Sequence, residues 1–226
     1  MPQTIDKELV RKRFGRRMHQ YDGEAVVQTA MARRLIDGVV TLRGRRFSRV
    51  LEIGCGSGLL TRLMVDSLDM NDLYGNDVVE DCRTVFKTIA AGRPDMSSYF
   101  IAGDIEAGVP LPPALDLAIS NATFQWLENL ERFFARLAAC VKPGGLLAFS
   151  TFGPDNLREI RNLTGVGLHY PDPVSVRQCL SGHFALREAW ETRETRRFPT
   201  PRDVLIHLRR TGVNAVHSTR WRPSDY

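Results

Sequence analysis

An apolar strand that runs directly into glycines at every second position allows this chain few folds. The segment Val50-Leu51-Glu52-Ile53-Gly54-Cys55-Gly56-Ser57-Gly58-Leu59-Leu60 reads as strand, turn and helix start. Glycines at such a turn let the backbone come close to a ligand and adopt angles closed to other residues. A nucleotide site at the carboxyl end of the strands is the general expectation for that arrangement. The dinucleotide fingerprint G-x-G-x-x-G fails here in both registers. Counted from Gly54 its last position is Leu59, and counted from Gly56 it is Thr61.

The flanking sequence supplies the alternation such a sheet needs. Residues 1–46 are predicted helical, with Val27, Met31, Leu35 and Val39 recurring every four residues on one face. After Val50–Ile53, strands are predicted at Leu73–Asp77, Ser98–Ala102 and Leu115–Ser120. A fifth, Leu146–Phe152, follows the turn Lys142-Pro143-Gly144-Gly145. Helices fit Asp81–Ala91 and the stretch from Leu130 to Val141. The fold class is therefore α/β, a Rossmann-like, mostly parallel, doubly wound sheet. Further helices are expected from Pro154 to Thr164, Pro173 to Leu180 and Pro201 to Arg210, the last capped by Thr200 and stopped by Gly212. Phe184–Phe198 has partial strand character. One domain is expected, with N-terminal helices over 1–46, a cofactor core over 47–153, and lid helices with one late strand over 154–226.

A length of 226 residues with 43% hydrophobic content suffices for one domain with a substantial core. No apolar run approaches the ~20 residues that cross a bilayer. The N-terminus lacks the apolar stretch of a signal peptide, so a cytoplasmic protein is expected. Cys55, Cys82, Cys140 and Cys179 form no C-x-x-C pair and the five histidines are dispersed, so reduced thiols and no metal are expected. The net charge of +5 is concentrated in Arg11-Lys12-Arg13, Arg16-Arg17, Arg43 to Arg46, Arg193 to Arg197 and Arg209-Arg210. Such runs suit an acidic protein, an anionic substrate or nucleic acid, and equally a solvated helix face.

The arrangement E-x-G-x-G-x-G from Glu52 to Gly58 resembles motif I of class I methyltransferases. The resemblance implies S-adenosyl-L-methionine as cofactor, held around Glu52, Gly54, Cys55, Gly56 and Gly58. It also implies ribose hydroxyls on Asp77 beside Val78, and the adenine amino group on Asp104 with Ile105 against the ring. Ser120 and Asn121 would lie near the methionine moiety and the methyl group. Either aspartate alone reads as a helix cap. The order of these strand ends is what carries the reading.

A closer resemblance lies in Phe14–Gln28, Ser120–Leu127, Phe149–Leu157 and Thr211–Ala215. These segments are similar to the malonyl-acyl-carrier-protein O-methyltransferases of biotin synthesis, and the likeness runs from about Phe14 to Trp221. That family methylates the free carboxylate of a malonyl thioester on acyl carrier protein or coenzyme A. A carboxylate is already ionised at neutral pH, so no general base is required. Catalysis then rests on in-line positioning and exclusion of water. The resemblance makes Tyr21, Gln125 and Trp126 the catalytic candidates, with Tyr21 closing over the cofactor; Tyr21 and Trp126 also read as packing aromatics. Arg158, Arg161, Arg209 and Arg210 are candidates to grip the substrate carboxylate in a fork. An acidic carrier protein, rather than nucleic acid or a membrane, is the expected partner, steered by Arg16 and Arg17 or by the lid.

Two other readings stand beside this one. The acceptor is another small carboxylate or a phenol, the latter needing a general base. Alternatively, the chain binds the cofactor as an inactive assembly or regulatory protein. The family pattern also calls for a last antiparallel strand after Thr211–Ala215, and its apparent absence would leave an unpaired sheet edge.

Overall fold

The computed structural model describes Glu8, Arg11, residues 25–165 and residues 167–210. Five parallel strands form one sheet in the order β3-β2-β1-β4-β5. They are β1 (Arg46–Ile53), β2 (Asp69–Asp77), β3 (Ser97–Ala102), β4 (Leu115–Asn121) and β5 (Val141–Ser150). The helices are α1 (Val26–Arg43), α2 (Leu59–Ser67), α3 (Cys82–Ala90), α4 (Leu130–Ala138), α5 (Arg158–Thr164), α6 (Pro173–Ser181) and α7 (Pro201–Arg210). Strand order reverses between β1 and β4, which opens a crevice at the carboxyl ends of those two strands.

The two-residue strand period sorts apolar side chains to opposite faces. Val50 packs with Leu117 and Ile119 under α1, α2 and α3, whereas Leu51 and Ile53 pack with Ala118 under α4 and α6. A near-continuous apolar run, broken in β1 at the buried Glu52, is therefore what a strand covered on both sides requires. The second layer is built around Phe124, Phe133, Phe134 and Phe149, with ring centroids 4.8–6.0 Å apart.

Several expected boundaries shift. The first two strands begin earlier, at Arg46 and Asp69, because β1 and β2 pair along their full length. The fourth helix stops at Ala138 rather than Val141, since Val141 already pairs with Leu115. Lys142–Gly145 is not a turn preceding β5. It bulges within that strand, so Leu115 pairs with Val141 while Leu117 pairs with Leu146. The helix expected from Pro154 starts only at Arg158, after turns ending at Leu157 with φ 53°. Of the four residues placed on one face of α1, Leu35 and Val39 are buried, but the stripe is completed by Gln28, Ala32 and Ile36.

Phe184–Phe198 forms no strand. Side chains, not a backbone ladder, hold it. The Trp190 ring lies under the Arg34 guanidinium, 4.6 Å from its carbon, and beside Gly38 of α1. Arg193 pairs with Asp155. The α7 N-terminus is as expected, with Thr200 Oγ1 accepting from the Asp203 amide at 3.3 Å and Asp203 accepting in return from the Thr200 amide at 3.1 Å. Every strand pair in the described sheet is parallel. The region after Arg210, which includes Gly212, Thr211–Ala215 and the place where a last antiparallel strand was expected to be missing, lies outside the described residues.

At the amino end of the sheet, Asp116 ties β4 to its neighbours. Its Oδ2 accepts from the amides of Ser48 at 3.0 Å and Arg49 at 2.8 Å, and Lys142 pairs with Oδ1. Burial raises the Asp116 pKa, but Lys142 and these amides outweigh it and hold the carboxyl below its ordinary value. This contribution is present above the unfolded carboxyl pKa and is lost as pH falls through the lower folded one.

Candidate active site

The crevice is floored by the turn between β1 and α2. Gly54, Gly56 and Gly58 have φ of 73°, 49° and 78°, a left-handed region in which L side chains are strained. Gly54 and Cys55 both donate their amides to the Asn76 carbonyl, at 2.8 and 3.0 Å. Asn76 is fixed in turn, because its amide nitrogen donates to the carbonyls of Ile101 and Gly103 at 2.9 and 3.0 Å. The glycine turn thus rests on the ends of β2 and β3. A Cβ at Gly54 would overlap Thr123, whose Cγ2 lies 2.6 Å from that position. A Cβ at Gly56 would meet nothing within 4 Å. The turn is closed beneath Gly54 and open above Gly56.

Asp77 closes the far side. One carboxylate oxygen accepts from the Gly56 amide at 2.8 Å and the other from the Val79 amide at 2.9 Å. Burial raises its pKa, and those amides oppose the rise. Val78, partly buried, packs against the core. Asp104 Oδ1 accepts from the Glu106 amide at 2.9 Å, a local cap at the end of β3. Ile105 is buried with Leu51 and Ile53. Cys55 is buried, and desolvation raises its pKa well above the ordinary thiol range, so it is an unreactive wall of the turn.

Glu52 lies beneath the turn with no exposed surface. Thr61 Oγ1 donates to its Oε2 at 2.6 Å, while Oε1 is buried and has no hydrogen-bond partner. Burial drives the Glu52 pKa up to about 8, with Asp77 adding to the rise and Thr61 and Arg62 opposing it.

The ends of β4 and β5 form the other wall. Ser120 Oγ donates to the Ile53 carbonyl at 2.8 Å. Asn121 Nδ2 donates to the Gln28 carbonyl of α1 at 3.1 Å, and its Oδ1 accepts from Ser150 Oγ at 2.6 Å. Ala122 follows at φ 53°. Gln125 and Trp126 sit on a single 3-10 turn, Phe124–Trp126. The Gln125 amide nitrogen donates to the Ala122 carbonyl at 2.6 Å and its oxygen accepts from Thr151 Oγ1 at 3.3 Å. Its carboxamide is therefore fixed by protein partners, which suits shaping a wall better than moving a proton.

The candidate arginines separate. Arg158 pairs with Asp155 at 3.2 Å. The Arg161 guanidinium donates to the carbonyls of Asn156 and Pro154 and lies 5.3 Å from the Tyr170 ring centroid. Arg209 and Arg210 end α7, and their side chains, like Tyr21, lie outside the described residues. Asn76, Thr61, Thr123, Gln28, Ser150 and Thr151 were not singled out by sequence. Ser150 and Thr151 end a strand beside the β4 end, a position that signals a site. Gln28 and Asn121 are 93 residues apart, and nothing local announces their contact.

A strand-order reversal with a glycine turn at its crevice defines a Rossmann-like domain, and the methyltransferase domain family model matches residues 51–149. A chain solved in complex with the Trm112 methyltransferase activator of Haloferax volcanii superposes with a TM-score of 0.65 at 16% identity, covering 91% of this chain and 93% of that one. The N-methyltransferase NodS of Bradyrhizobium japonicum, solved with S-adenosyl-L-homocysteine, gives 0.54 at 19% identity, covering 67% and 71%. These two show the fold. Malonyl-[acyl-carrier protein] O-methyltransferases of Prosthecochloris aestuarii and Chlorobium phaeovibrioides are 42% and 43% identical to this chain. The alignments cover 99% and 98% of this chain and 84% and 85% of the relatives. The chain belongs to the malonyl-[acyl-carrier protein] O-methyltransferase family.

The crevice fits a cofactor of the S-adenosyl-L-methionine kind. The open space above Gly56 accepts a ligand against the backbone, and the buried acids Glu52 and Asp77 suit a cation. No described helix is long and apolar enough to cross a membrane.

Proposed function

We propose that this chain transfers a methyl group from S-adenosyl-L-methionine to the free carboxylate of a malonyl thioester on acyl carrier protein, the esterification used in biotin synthesis. The observation that carries this reading is the 42% identity over nearly the whole chain to relatives of that activity. We place the cofactor on Glu52, Gly54, Cys55, Gly56, Gly58, Asp77, Val78, Asp104 and Ile105, with Ser120 and Asn121 at the methyl end. Bound S-adenosyl-L-methionine supplies a methyl group on a positively charged sulfur. The acceptor oxygen is already anionic at neutral pH. The protein has only to hold that oxygen in line and keep water out. The bonded pairs Asn121–Ser150 and Gln125–Thr151, bridged by the Ala122 backbone, form a wall for that purpose, and Trp126 follows on the same turn. Of the arginines expected to grip the carboxylate, Arg158 is held by Asp155 and Arg161 by the Asn156 and Pro154 carbonyls, so Arg209 and Arg210 are the candidates for that role.

Charge is divided along the chain in a way that suits both ligands. Residues 47–153 carry thirteen acidic and eight basic side chains, whereas 1–46 carry five and eleven, and 154–226 eight and twelve. An acidic core favours a cationic cofactor, and basic flanks favour an acidic carrier protein. Arg196 and Arg197 are exposed on the segment before α7. Reversing both to Glu is expected to raise the KM for malonyl carrier protein about tenfold at low salt, less at high salt, with cofactor affinity unchanged. Incubation with methyl-labelled cofactor and malonyl carrier protein tests the activity itself. A base-labile labelled ester is expected, and no label on malonyl carrier protein or malonyl coenzyme A would contradict the reading.

A further inference from the structure

Two carboxyl groups lie behind the glycine turn, and the free protein provides for only one as an anion. Asp77 accepts two backbone amides, at 2.8 and 2.9 Å. Glu52 is met by the Thr61 hydroxyl and, more weakly, by the Thr61 backbone amide, and its other oxygen is buried with no partner. An isolated carboxylate oxygen of that kind is costly in a dry site unless the group is protonated or a cation arrives. The groups facing Glu52 are Thr61 and Arg62 from α2, Asp77 from β2 and Cys55 from the turn. Of these Arg62 is the cation, and it has less influence on Glu52 than either burial or Asp77.

We propose that Glu52 is a protonated acid in the free protein and becomes the buried counter-ion of the cationic cofactor, so that cofactor binding releases a proton from the Glu52 carboxyl. The bond broken is the Glu52 O–H, and the proton leaves to solvent. Nothing is oxidised or reduced. The inference rests on the glycine turn being the cofactor site, and its readout is binding, not methyl transfer. Below about pH 8, where Glu52 holds its proton in the free protein, affinity rises with pH. The dependence approaches about tenfold per pH unit and levels off above that value.

Calorimetry of S-adenosyl-L-methionine binding at pH 7, in buffers of different ionisation enthalpy, measures the protons exchanged. The ligand's own amino group also titrates near pH 8, but at pH 7 it is mostly protonated already and contributes only a small uptake. Release approaching one proton is expected for the wild-type chain, and none for Glu52→Gln, which keeps the shape and the Thr61 contact. Zero release in the wild type, or equal release in Glu52→Gln, would overturn the proposal. Should Glu52→Gln fail to fold, the wild-type affinity from pH 6 to 8 decides: a flat profile overturns it. Failure of methyl transfer to malonyl carrier protein would leave these binding results intact, so the two readings fail separately.

Discussion

Replacing Gly56 by alanine is expected to weaken cofactor binding on the order of 100-fold, about 2.7 kcal/mol, while the protein stays folded. The new methyl would meet nothing within 4 Å, so packing does not resist it. Its conformational cost at φ 49° is about 1–2 kcal/mol. The space it enters is the space a ligand needs against the backbone. Gly54→Ala separates this from general damage. There the Cβ would lie 2.6 Å from Thr123 Cγ2 and 2.9 Å from its Cβ, at φ 73°. Thr123 leads into the 3-10 turn that carries Phe124, which is 1% exposed at the centre of the aromatic layer. Gly54→Ala is therefore expected to lower the melting temperature sharply as well as abolish binding. Thermal unfolding with and without cofactor measures both effects. A Gly56→Ala protein that binds normally would show that the open side of the turn is not the ligand's place.

Glu52→Gln is expected to stabilise the ligand-free protein at neutral pH by about 2–3 kcal/mol. The sign follows from the raised pKa. In the unfolded chain Glu52 loses its proton near the ordinary carboxyl value of 4.5, and in the folded protein at about 8. Between those values the folded state binds more protons, so stability falls as pH rises. The favourable contribution is complete below the unfolded pKa and gone above the folded one. Glutamine does not titrate, so the variant's advantage should be near zero at pH 4.5 and grow steadily to pH 8. Denaturant unfolding across that range checks it. A variant destabilised equally at every pH would indicate that Glu52 serves only as a fixed hydrogen-bond partner of Thr61.

The glycine-turn half of the crevice was legible because it is built from local sequence. The glycine turn is eleven residues including its strand and helix start, Asp77 ends β2, and Asp104 follows the end of β3 by two residues. What the sequence did not convey was which partners those groups take. Asp77 holds the amide of Gly56, and Glu52 turns out to lack a partner on one oxygen, facts that depend on how β1, β2 and α2 meet. The wall at the ends of β4 and β5 was less legible for the same reason. Gln125 and Thr151, or Asn121 and Gln28, meet only after helices close over the sheet. The expected strand at Phe184–Phe198 failed because alternating side chains permit an extended backbone without supplying a neighbour to pair with. Trp190 and Arg193 hold that segment by contacts to Arg34 and Asp155 instead. Conversely, the Lys142–Gly145 signal was sound as a break in regularity, but pairing on both sides drew it into β5 as a bulge.

Methyl transfer compared between malonyl and acetyl carrier proteins tests the central claim most directly. The two acceptors share the carrier, the thioester and the arm, and differ in the free carboxylate. With methyl-labelled S-adenosyl-L-methionine, label is expected on the malonyl carrier protein alone, released by mild base as methanol. Equal labelling of the acetyl form, or none of the malonyl form under conditions where the cofactor binds, would contradict it.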